Sequence, residues 1–95
     1  MEIQEYLIGF MEVVADDPRI GPHHISLFLA ILHFYQQQGA INPVRVFARD
    51  LRKMAKIGSQ RNYFARMKDL KMYGYIKYTP SFDPCKASSI YLIRP

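Results

Sequence analysis

The chain has 95 residues, 49% of them apolar, a formal charge of +5 and a single cysteine, Cys85. That length is enough for one domain with a modest core, no apolar run approaches the ~20 residues of a membrane span, and one cysteine excludes an internal disulfide. The N-terminus carries Glu2 and Glu5 instead of a basic segment, so no secretory leader is expected and the expected compartment is the cytoplasm.

Taken in chain order, Ile3, Tyr6, Leu7, Phe10, Val13 and Val14 recur in steps of three and four, which predicts one apolar face on a helix over residues 2–15. Asp16-Asp17-Pro18 ends it, because the residue before proline is pushed out of the α region. Acidic groups at a helix C-terminus oppose the macrodipole, so fraying is expected there. After Ile20-Gly21-Pro22, a second helix runs to Gln38. Its apolar residues, from Ile25 through Tyr35, cover most of the circumference, which marks it as the central helix, and Gly39 is its natural C-cap.

Asn42-Pro43 marks a turn, and Val44, Val46 and Phe47 suit a short strand. Ala48–Lys56 reads as a helix with Leu51, Met54 and Ala55 inward. Gly58 is expected to permit the sharp turn that follows, and Ser59 to cap the next helix, Gln60–Tyr73. Tyr63, Met67 and Leu70 form the inward stripe of that helix, and Gly74 stops it. Tyr75–Thr79 and Ser88–Ile93 alternate like strands on either side of a loop that begins at Pro80.

The order α, α, short β, α, turn, α, β, loop, β predicts an α+β fold. Its type is a winged helix-turn-helix, with a three-helix core and a β-hairpin wing, plus an extra N-terminal helix. Residues 1–17 form the extra helix and residues 22–95 the DNA-binding unit. Charge divides along the same line. Residues 1–17 hold five carboxylates and no Lys or Arg, whereas residues 45–77 hold ten cations against Asp50 and Asp69, a net of +8. A polyanion such as double-stranded DNA is the partner such a field favours.

Ser59, Tyr63, Met67, Leu70 and Gly74-Tyr75-Ile76 keep a spacing that resembles the recognition helix and first wing strand of winged helix-turn-helix DNA-binding domains. His24 through Ala30, Lys56 through Ser59, Gly74 through Tyr78, and Pro80-Ser81 followed by Pro84 are similar to small winged-helix proteins of Bacteroidetes genomes and their mobile elements. The likeness spans residues 22–93. Asn62 stands where that pattern commonly has threonine. The resemblance implies sequence-directed DNA binding by a small transcriptional regulator or mobile-element accessory factor. Two other readings are a winged helix that binds proteins without DNA, and the DNA-binding part of a replication initiator.

Within that fold, Gln60, Arg61, Phe64 and Ala65 are the expected base contacts. Arg can bridge O6 and N7 of guanine, Gln can bridge N6 and N7 of adenine, and Phe64 either touches a thymine methyl or packs beneath the wing. Ser59, Arg49, Arg52, Lys53, Lys56, Arg66 and Lys68 are the expected phosphate contacts, and Lys86 and Ser88 the contacts of the wing. The face of Ile3, Tyr6, Leu7, Phe10 and Val14 must be covered by its own domain or by a second copy, and a homodimer is expected. His23, His24 and His33 do not share a helix face with further ligands, so no metal is expected. Cys85 has no histidine partner, and no phosphate loop or carboxylate pair is present. No cofactor, no small-molecule ligand and no enzymatic activity are expected.

Overall fold

The computed structural model describes residues 2–81, 83 and 85–93. Pro84 of the resemblance, and Arg94-Pro95 at the end of the expected 22–95 unit, lie outside them. The elements are α1 (Ile3–Val14), α2 (Pro22–Gln37), β1 (Val44–Val46), α3 (Ala48–Ala55), α4 (Gln60–Met72), β2 (Ile76–Thr79) and β3 (Ser88–Leu92). The fold is α+β, with four helices and a three-stranded antiparallel sheet among the described residues. No helix among them is long and apolar enough to cross a membrane.

α2 is the central helix, as its all-round apolar pattern requires. Leu27, Phe28, Ala30, Ile31, Leu32 and Tyr35 are buried, and the helix touches α1, α3, α4 and β1. α1 supplies one of those covers. Phe10 stacks on Phe28 with ring centroids 3.8 Å apart and planes 9° apart, and Tyr6 meets Tyr35 edge-on at 5.4 Å.

Of the expected dimer face, Tyr6, Phe10 and Val14 are buried in their own domain, with Ile3 and Leu7 partly buried beside them. Each such side chain contributes roughly 1.5–3 kcal/mol by burial. Val13 falls off this stripe and is exposed.

The sheet order is β1-β3-β2. β2 and β3 form the expected hairpin, with Ile76 opposite Leu92 and Tyr78 opposite Ile90, while Val44 pairs with Ile90 across the other edge of β3. The free edge of β1 is closed by a side chain. Gln38 Nε2 donates to the Arg45 carbonyl at 2.7 Å, and the Arg45 N–H donates to Gln38 Oε1 at 3.2 Å. A glutamine amide thus stands in for a further strand at an exposed edge. Asn42 Oδ1 likewise accepts from the Leu92 N–H at 3.1 Å.

Three helices end in the same way. The N–H two residues past the last turn bonds back to the carbonyl five residues earlier: Ala40 to Tyr35, Ile57 to Arg52, and Tyr75 to Leu70. This Schellman closure requires a left-handed residue. Gly39 and Gly74 provide it for α2 and α4, at φ 90° and 84°. For α3 the left-handed residue is Lys56, at φ 63°. The turn expected of Gly58 is therefore made two residues earlier, by a side-chain-bearing residue.

Candidate nucleic-acid interface

α3 and α4 are set by their junctions. The Ser26 hydroxyl donates to the Ala55 carbonyl and ties the end of α3 to α2. Ile57, directly after the left-handed Lys56, is buried and anchors the turn in the core. Ser59 Oγ then accepts the Asn62 N–H at 3.2 Å, the N-cap bond expected of it, which satisfies one orphan donor of α4.

α4 has three faces. Tyr63, Met67 and Leu70 face the core. Asn62, Arg66 and Asp69 form a polar seam against the start of α2. There the Gly21 N–H donates to His24 Nδ1 at 2.8 Å, which leaves the proton on Nε2, and this nitrogen donates to Asp69 Oδ2 at 2.8 Å. Arg66 Nε donates to the same carboxylate oxygen at 2.9 Å, and its Nη1 donates to Asn62 Oδ1 at 3.1 Å. Asn62 Nδ2 in turn donates to His23 Nδ1 at 2.7 Å. Burial works to raise the Asp69 carboxyl, but the hydrogen bonds from His24 and Arg66 outweigh it and hold it below the ordinary range.

Arg66, expected on phosphate, is instead held within this seam. Asn62, which stands where the resemblance commonly has threonine, bridges α2 and α4.

The third face of α4 carries Gln60, Arg61 and Lys68, all exposed, with Phe64 and Ala65 half-buried. Lys71 belongs with them and was missed from sequence, although its place seven residues after Phe64 puts it on the same face. Arg49, Lys53 and Lys56 are exposed along α3, and Arg52 is half-buried. Met54, expected inward, is 43% exposed, because Leu51 and Ala55 complete the inner stripe of this short helix. Phe47 is not part of the strand. It precedes α3 and lies under the Arg49 guanidinium, 4.7 Å from the ring centroid.

These cations have few answering charges. Among the described residues, the only carboxylate within 4.0 Å of any Lys or Arg of α3, or of Arg61, Lys68 or Lys71, is Asp50, which is 4.0 Å from Arg49.

The hairpin stands beside this face. Lys86 is exposed as expected, but Ser88 is buried, with Oγ accepting the Ser81 N–H at 3.2 Å. It is therefore removed from the expected wing contacts: it begins the inward alternation continued by Ile90 and Leu92. Between hairpin and helices lie two shallow clefts that share Phe64. One, of about 300 Å³, is lined by Phe47, Arg49, Gln60, Phe64, Asp83 and Lys86 among others. The other, of about 310 Å³, is lined by Phe64, Lys68, Lys71, Tyr78 and Pro80. Beneath them, burial pushes the Tyr63 and Tyr78 phenols up, and neither hydroxyl has a hydrogen-bond partner of good geometry among the described residues.

Past the C-terminal end of α4, Asp17 is the hub of an anchor where the sequence predicts a fraying helix terminus. Arg19 Nε and Nη2 donate to its two oxygens at 2.9 Å each, and the Tyr75 hydroxyl donates to it at 2.6 Å. Arg19 also lies over the Tyr73 ring, 4.0 Å from its centroid. The Arg19 bonds, then the Tyr75 bond, hold the Asp17 carboxyl well below the usual carboxylate range. Burial, then the bond to Asp17, pushes the Tyr75 phenol up to about 12. No group of three or more His, Cys, Asp or Glu among the described residues is placed to hold a metal.

Compared with protein-family models, curated proteins and solved structures, the chain matches none.

Proposed function

We propose that the chain is a winged helix-turn-helix that binds double-stranded DNA. In this reading α4 lies in the major groove with Gln60, Arg61 and Ala65 toward the bases. Arg49, Arg52, Lys53, Lys56, Lys68 and Lys71 hold phosphates, and Lys86 at the hairpin tip reaches the neighbouring backbone. The observation that carries this reading is the unanswered charge on one face. Asp17 is paired with Arg19, and Asp69 with His24 and Arg66, at 2.8–2.9 Å, while α3 and the outer face of α4 carry a cluster of cations with almost no carboxylate in range. Like charges left together on rigid helices repel one another in the free protein, and that repulsion is relieved when a polyanion displaces counterions around them. The process served is proposed to be transcriptional regulation or the upkeep of a mobile element.

Fluorescence anisotropy against a random-sequence duplex, across a salt series, tests the proposal. The expected result is micromolar or tighter binding with a steep linear fall of log K against log salt. Arg61→Ala is expected to blur sequence preference, and Lys53→Ala to weaken all sequences alike and reduce the slope by about one. Absence of binding at low salt would leave the same scaffold to be read as a protein-interaction module.

A further inference from the structure

Phe64 is an anomaly on the basic face. It is a partly buried ring packed against the core that edges onto Tyr63 at 5.0 Å between centroids, and it lines both clefts between the helices and the hairpin. The cleft on its C-terminal side has Phe64, Tyr78 and Pro80 as apolar walls and Lys68 and Lys71 as cationic members. Phe64, Lys68 and Lys71 follow one another at helical steps of four and three along α4, so a strand gripped by the two lysines passes the ring.

Phosphate does not suit an apolar wall, and neither do the hydrogen-bonding edges of the bases. The apolar group that a major groove presents is the C5-methyl of thymine. We infer that the Phe64 cleft receives the C5-methyl group of a thymine in intact duplex DNA, whose own strand is held by Lys68 and Lys71. The chain would then prefer methyl-bearing pyrimidines, thymine or 5-methylcytosine, over uracil or cytosine at that place. This inference rests on the DNA-binding reading above. It adds to it a chemical group in the ligand and a residue that selects for it.

The test removes the methyl without altering charge or length. Affinity is measured for an alternating A·T duplex of about two helical turns and for the same duplex with every thymine replaced by uracil. A G·C duplex with and without 5-methylcytosine provides the reverse comparison. Burial of one methyl corresponds to about fourfold in affinity, so the wild type is expected to bind the thymine duplex about fourfold more tightly than the uracil duplex, and the methylated G·C duplex more tightly than the plain one. In Phe64→Ala both ratios are expected to fall to about one, and in Phe64→Leu to remain above one. Lys68→Ala is expected to lower affinity for all four duplexes equally and keep the ratios.

Each ratio compares two duplexes on the same protein preparation, so partial unfolding of a Phe64 variant cancels. Equal binding of thymine and uracil duplexes by the wild type overturns the inference and leaves the DNA-binding reading standing. A ratio that survives Phe64→Ala also overturns it, by placing the methyl contact elsewhere. No binding to any of the four duplexes overturns both.

Discussion

The two ends of this molecule handle charge in opposite ways. At the α1 end, Asp17 takes four hydrogen bonds from Arg19 and Tyr75. In the seam between α2 and α4, Asp69 answers both His24 and Arg66. On the outer face of α3 and α4, by contrast, cations stand almost alone. Charges that serve the fold are paired, whereas unpaired charges held on rigid helices leave their electrostatic energy to a ligand. The same sequence carries both kinds, and arginines alone show the difference: Arg19 and Arg66 are structural, while Arg61 and Arg52 have no carboxylate partner among the described residues.

The largest expected effect falls on the α1 end. Phe10→Ala removes the ring stacked on Phe28 and is expected to cost about 3–5 kcal/mol of stability, read by urea unfolding. The variant, where folded, is expected to keep the wild-type salt slope for DNA. A change in that slope would mean that α1 takes part in binding.

Asp69→Ala should cost about 1–3 kcal/mol, because the buried His24 Nε2–H loses its acceptor. It also frees Arg66 to join the basic face, so non-specific DNA affinity is expected to rise as stability falls. Loss of affinity instead would show that the seam positions α4.

pH separates the anchor from the rest. The Asp17 carboxyl is depressed in the folded state, so its contribution is present above the ordinary carboxylate range and is lost as pH falls through the lower folded value. The Tyr75 phenol is raised to about 12. Its contribution is present below the usual phenol value near ~10 and is lost as pH climbs from there to about 12. Tyr75→Phe is expected to remove the alkaline loss and reduce the acid loss, as followed by denaturant midpoints from acid to alkali. An unchanged alkaline limb would show that the buried Tyr75 phenol does not set it.

The smallest effect is expected at Lys56. Lys56→Gly relieves a left-handed side chain, a strain of roughly 1 kcal/mol that is partly offset by the entropy of a new glycine. Stability should therefore move little, while the salt slope drops by about one. Folding and binding would then be separated at a single position.

Much of this was legible in the sequence. Strong helical periods placed α1 to α4 within a residue or two, and the alternation of Tyr75–Thr79 and Ser88–Ile93 placed the hairpin. What failed was mostly pairing at a distance. His24 and Asp69 lie forty-five residues apart, and nothing local to either names the other. The cover for α1 had a signal, since an α2 that is apolar all round needs a neighbour on every side. Ser88 had one as well: the period of two that points Ile90 and Leu92 inward points Ser88 inward too. Lys56 had none, because a left-handed lysine is set by the closure of α3 and by burial of Ile57, not by its own preference.

The central claim is that the unpaired cations of α3, α4 and the hairpin tip are the DNA-binding face. Amide chemical-shift mapping of the labelled protein, titrated with a short duplex, tests it most directly. The largest shifts are expected at residues 49–56, 59–71 and around Lys86, with α1 and the Asp17 anchor unmoved. Shifts centred on α1, or the absence of shifts at saturating DNA, would contradict it.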